Sequence, residues 1–144
     1  MARVARLLAC IALLTACGGS GEPPLRLAAQ HVSRGSCPVS DGTKGAFGEG
    51  PLRVLLATWT PNAVRVDDAF EVKLGWYLDG PGDLEVIGTR IDGPGTLSYS
   101  TGYRPPGNGP RMEASTLTVS APGCYAVKAR HAGAVITWVF RAVA

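Results

Sequence analysis

A chain of 144 residues with 14 Lys+Arg against 11 Asp+Glu is close to charge balance. Its basic residues are scattered rather than clustered, which argues against a phosphate-tracking stripe and leaves nucleic acid out as a partner. Nineteen glycines and eleven prolines favour many turns between short strands over long helices.

The chain opens with Arg3 and Arg6 ahead of an apolar run at residues 7–14. A positive start, a short apolar stretch and small residues before a cut are the physical parts of a secretory signal. The run is too short to cross a bilayer as a helix. Leu14-Thr15-Ala16-Cys17, followed by Gly18-Gly19-Ser20-Gly21, resembles the lipobox of bacterial lipoproteins. The resemblance implies that the Cys17 thiol receives a diacylglycerol and becomes the first residue of the mature protein. The alternative is an ordinary signal peptide that contains a cysteine. Two acyl chains anchor stably where one holds marginally, so the expectation is a lipid-anchored, extracytoplasmic protein of the cell membrane or envelope. No cofactor beyond that covalent lipid is expected.

Removing residues 1–16 leaves 128, enough for one domain with a real core. The expected division is a signal peptide at 1–16, an acylated cysteine and flexible linker at 17–24, and one domain at 25–144. Glycines make the linker flexible and Pro23-Pro24 extend it. Residues 34–51 are irregular, broken by Gly35, Gly42, Gly45, Gly48 and Gly50.

Cys10 leaves with the signal and Cys17 carries lipid, so Cys37 and Cys124 remain. In an exported protein an isolated pair most simply forms one disulfide. Closing so long a loop is worth about 4–5 kcal/mol in the chain-entropy model. A redox pair or metal site is the alternative, but no Cys-x-x-Cys or nearby His/Cys cluster accompanies either residue.

Residues 52–59 read as a strand closed by Thr60-Pro61-Asn62. Phe70, Val72, Leu74, Trp76 and Leu78 alternate with Glu71, Lys73, Gly75 and Tyr77, the clearest period of two in the chain, which places Trp76 on a buried face. Asp79-Gly80-Pro81-Gly82 ends this strand, and Asp92-Gly93-Pro94-Gly95 ends the next, at 84–91. Asp-Gly pairs can ligate calcium, but the further carboxylates of such a loop are missing here. Residues 96–101 form a short strand, 102–111 a long Pro/Gly loop and 112–120 another strand. The last pair, 124–130 and 134–142, reverses through His131-Ala132-Gly133. Ile136, Trp138 and Phe140 share one face of the final strand and Val135, Thr137 and Val139 the other, as in a covered strand.

This pattern predicts an all-β protein, an antiparallel sandwich of about seven to nine short strands. Tyr125, after the turn Ala121-Pro122-Gly123, resembles the tyrosine corner of immunoglobulin-like domains, and Trp76 fits their core aromatic. Val127 stands where antibody-type domains carry the inter-sheet cysteine. The likeness is therefore to the fold and carries no function.

The mature part is also similar to a family of small, uncharacterised exported bacterial proteins and lipoproteins. The matching segments are Ser36-Cys37-Pro38-Val39, Phe47-Gly48-Glu49-Gly50-Pro51-Leu52, residues 73–76, Pro122-Gly123-Cys124-Tyr125 and Val139-Phe140-Arg141. The resemblance supports the Cys37–Cys124 pairing and implies no activity.

Catalytic equipment is sparse. Nucleophilic catalysis needs a base beside a Ser or Cys. His31 lies near the tether, and His131 at a hairpin tip is expected to be solvated. Asp67-Asp68 with Glu71 is the densest acidic group and reads as turn chemistry, while Glu85 and Glu113 stand alone. A copper set would need His31, His131, Cys124 and Met112, without the clustering of blue-copper loops. The remaining candidate is a binding loop carrying Tyr99, Tyr103, Arg104, Asn108 and Arg111, aromatic and Arg residues held by a rigid scaffold. The functional expectation is a non-enzymatic, membrane-anchored binding module whose partner is an envelope protein or cell-wall ligand. The alternative is an enzyme-associated or metal-handling envelope lipoprotein.

Overall fold

The computed structural model describes residues 22–28, 32–33, 36–40, 46–56, 59–60, 63–66, 70–102 and 109–144. Cys17, His31, Asp67, Asp68, Tyr103, Arg104 and Asn108 lie outside the described residues.

Among the described residues ten strands are formed: β1 (Ala46–Phe47), β2 (Leu52–Leu56), β3 (Trp59–Thr60), β4 (Ala63–Arg65), β5 (Glu71–Leu78), β6 (Glu85–Arg90), β7 (Leu97–Thr101), β8 (Arg111–Val119), β9 (Gly123–His131) and β10 (Ala134–Val143). They build an all-β sandwich of two sheets, ordered β1-β2-β5-β8-β7 and β3-β4-β10-β9-β6. The ladders are antiparallel except for β10 with β4, which run parallel with Ala142 opposite Val64. The final strand thus lies between β4 and β9, and the Val66 amide donates to the Val143 carbonyl just beyond the ladder.

The period of two explains the core. Leu52 and Val54 of β2, Val72, Leu74, Trp76 and Leu78 of β5, and Leu117 and Val119 of β8 point inward from the first sheet. Tyr125, Val127 and Ala129 of β9 and Trp138, Phe140 and Ala142 of β10 meet them from the second. Trp76 contacts Trp138 edge-on at 5.9 Å and donates its Nε1–H to Ser115 Oγ at 2.6 Å, so its polar atom is satisfied in the interior. Tyr125 stacks on Phe140, and its hydroxyl donates to the Ala121 carbonyl four residues upstream at 2.7 Å.

Two strand expectations change. The strand expected at 52–59 ends at Leu56, because Trp59–Thr60 belong to the other sheet and the chain must cross between them. Phe70 does not share the buried face of β5. It adopts φ +57° and stays partly exposed, while its carbonyl accepts the Val119 amide. The left-handed region is a strained setting for an aromatic residue.

Part of the outer face of the second sheet is covered by the N-terminal arm, described at residues 22–28, 32–33 and 36–40. Leu27, Val32 and Cys37 pack onto a small buried cluster of Ile91, Cys124, Ala126 and Val139. The arm is fastened along its length. The Val32 amide donates to the Ile91 carbonyl, the Ser40 amide to the Val139 carbonyl, and the Val139 amide to Ser40 Oγ. The Cys37–Cys124 disulfide joins it covalently, with Cα atoms 5.6 Å apart. On β10 this layer buries Val139, whereas Val135, Thr137 and Arg141 of the same outer face stay exposed, so the strand is covered over only part of its length.

Candidate functional site

Arg111 and Glu113, the buried charges of β8, sit at one end of the sandwich, where the β9–β10 hairpin and the β5–β6 turn meet. At the hairpin tip Ala132 and Gly133 both take positive φ, +47° and +77°, the signature of a tight two-residue reversal. A Cβ added at Gly80 of the β5–β6 turn would lie 3.4 Å from the Ala132 Cβ, so turn and hairpin tip abut.

Arg111 pairs with Leu78 at this end and turns inward. Its guanidinium donates to the Gly80 and Gly82 carbonyls at 3.4 and 3.2 Å, and its Nε lies 3.8 Å from Glu113 Oε2. Arg111 therefore clamps the β5–β6 turn instead of presenting a solvated guanidinium on a recognition loop. The strand begins at Arg111, in phase with Glu113, Ser115, Leu117 and Val119, whose side chains all face inward. Glu113, which stands alone in sequence, is buried beside it at 2% side-chain exposure. Removing one partner of such a buried pair leaves the other charge uncompensated, a cost of about 3–5 kcal/mol.

His131 is also interior. At 1% exposure it continues the inward row of Tyr125, Val127 and Ala129, and neither ring nitrogen has a hydrogen-bond partner. The expected solvated imidazole at a hairpin tip is thus corrected: β9 extends through His131, so alternation carries the ring into the sandwich. Tyr99 on β7 is half-buried and meets Trp76 edge-on at 6.4 Å. Of the five candidate loop residues, Tyr99 and Arg111 are therefore parts of the sandwich body, and the other three lie outside the described residues.

The copper set is not assembled. Cys124 is in a disulfide, and Met112 is 51% exposed on the outer face while His131 points inward. Glu71 pairs with Lys73 on the outer face. Among the described residues, no group of three or more His, Cys, Asp and Glu side chains could hold a metal ion.

Sequence reasoning missed Arg130. With Lys128 it borders a groove of about 350 Å³ between the arm and the sheet, closed on the other side by Glu22, Pro23, Leu25 and Arg26. Arg130 donates to the Pro23 carbonyl at 2.7 Å, lies 3.2 Å from Glu22 Oε1 and pairs with Glu85, its neighbour across the ladder. Lys128 Nζ donates to the Arg26 carbonyl at 3.0 Å, and the Leu25 amide to Glu85 Oε1 at 3.1 Å. Both cations are engaged by the chain itself, so the groove is an anchor for the arm. The available signal was the alternation of β9, which puts Lys128 and Arg130 on the same outer face as Cys124 and Ala126.

At the opposite end Arg90 Nε donates to Asp92 Oδ1 at 2.7 Å and its NH1 group to the Pro94 carbonyl. Burial acts to raise the Asp92 pKa. The Arg90 hydrogen bond, a backbone hydrogen bond from Cys124 and the Arg90 charge outweigh it, and the carboxyl titrates below its ordinary value.

Comparison with protein-family models, with curated proteins and with solved structures finds no match to this chain.

Proposed function

We propose that the protein is a membrane-anchored, extracytoplasmic lipoprotein whose β-sandwich is a non-catalytic binding module. The observation that carries this reading is the Cys37–Cys124 bridge, across a sequence separation of 87 residues, on a chain that begins with a lipobox-like segment. Persistent disulfides belong to oxidising compartments, and the segment ending at Cys17 supplies both the route there and the anchor. The interior placement of His131 supports a non-enzymatic role, since a buried imidazole beneath a closed hairpin offers substrate no approach. The metal-handling alternative loses its thiolate to the disulfide.

An immunoglobulin-like arrangement accounts best for the strand order. Two observations support it: the hydroxyl of Tyr125 reaching back to Ala121, and a last strand that runs parallel to an early one in the second sheet. The partner is an envelope protein or cell-wall ligand met by the loops at one end, with Tyr103, Arg104 and Asn108 as contact candidates.

Metabolic labelling with palmitate tests the anchor. Label on the wild type, its loss in Cys17→Ser and release of that variant from the membrane fraction are the expected results. An unlabelled wild type, or free thiols at Cys37 and Cys124 in protein from its native host, overturns the reading.

A further inference from the structure

We propose that the docked arm fixes the orientation of the sandwich on the bilayer, with the hairpin end against the lipid surface and the opposite end pointing away. This rests on the lipoprotein reading above. The arm is held at Glu22 and Pro23 by Arg130, next to the hairpin tip, and runs from there along β6 and β9 to Ile91 and Cys124 at the far end. The end of the sandwich from which the chain leads back to Cys17 is thereby set by named contacts.

The tether is short. Gly18-Gly19-Ser20-Gly21 separate Cys17 from Glu22. The five steps from Cys17 to Glu22 can reach about 17 Å at most, by covalent geometry alone. The nine residues of β9 span about 30 Å at the usual rise. The hairpin end is thus always within reach of the bilayer, whereas the turns around Asp92 and Ser120 touch it only if the sandwich lies flat.

The exposed chemistry of the near end suits a headgroup boundary. Val135 and Met112 are about half exposed, and the Arg53 guanidinium lies over the Tyr77 ring at 4.2 Å from its centroid. Aliphatic stems with an aromatic–cation pair are at home where one side is apolar and the other wet. Asp79, Asp83 and Glu49 share this end. The tether, rather than attraction to anionic lipid, therefore sets the orientation. A ligand engaged at this end must itself lie at the membrane surface.

The test uses the full acylated protein in vesicles of phosphatidylcholine and phosphatidylglycerol carrying a headgroup quencher. A fluorophore is attached at Ala132→Cys in one preparation and at Ser120→Cys in another, with the acyl mass on Cys17 verified in both. Quenching is expected to be several-fold stronger at position 132. Equal quenching on fully acylated protein overturns the orientation and leaves the anchor standing, whereas absence of the acyl mass overturns both. A long Gly/Ser insertion between Gly21 and Glu22 leaves the sandwich intact and should collapse the contrast. A contrast that survives the insertion shows that the tether does not set it and overturns the proposal.

Discussion

The two outer faces of the sandwich are treated differently by the same chain. On the first sheet, Leu55, Gly75 and Ala114 lie in one cross-strand row, and Leu55 and Met112 stand about half exposed to water. On the second, Cys124, Ala126 and Val139 are buried beneath an arm whose described residues form no helix or strand. The contrast teaches that a covering layer need not be a sheet or helix. It needs a covalent fastening, a few apolar side chains and clamps for its backbone polar groups, which burial would otherwise leave unpaired.

Breaking the fastening is the strongest way to erase the difference. Cys37→Ala with Cys124→Ala should lower stability by about 4–5 kcal/mol, by the chain-entropy model. Urea unfolding gives the size, and faster proteolysis within residues 22–40 shows that the covered face has been laid bare. A matched pair of substitutions then tests burial itself. Val139→Thr places an extra hydroxyl under the arm and should cost about 1–2 kcal/mol, while Met112→Thr on the open face should stay within about 0.5 kcal/mol of wild type. Equal effects in thermal melts would dissolve the distinction between the faces. Arg130→Ala removes the clamp on Pro23 and Glu22 and should cost about 1 kcal/mol. Its earlier sign is quicker hydrogen exchange at the Leu25 amide. The smallest effect concerns Asp92, just past the cluster beneath the arm. Its lowered carboxyl pKa contributes stability that is complete above the ordinary aspartate value of about 4 and disappears as pH falls through the lower folded-state value. Asp92→Asn should therefore reduce the urea midpoint at neutral pH, and its gap to the wild type should narrow as pH falls below the ordinary aspartate value. A constant gap across that window would show that the ion pair contributes nothing.

How much of this was legible follows from what alternation reports. A period of two marks a strand with one buried face, and β5, β8 and β9 carried it plainly. The same signal contained more than composition suggested: Arg111 and His131 sit in phase with apolar neighbours and are buried with them, although their residue types point to solvent. Phe70 is the opposite case, an apolar residue in phase with β5 that a positive φ takes out of the ladder. The arm left almost no trace, because Leu25, Leu27 and Val32 follow no period, and its clamps are contacts between residues about a hundred positions apart. Cys37 alone announced it. Of the candidate binding loop, Tyr99 and Arg111 proved to belong to the body of the sandwich, which the loop's composition could not disclose.

The place of β10 has a consequence for assembly. Without β10 the second sheet falls into two separate pairs, β3 with β4 and β6 with β9, and β10 is the strand that joins them. Its parallel pairing of Ala142 with Val64 closes the longest loop of that sheet, so the sheet becomes continuous only through its entropically most demanding contact.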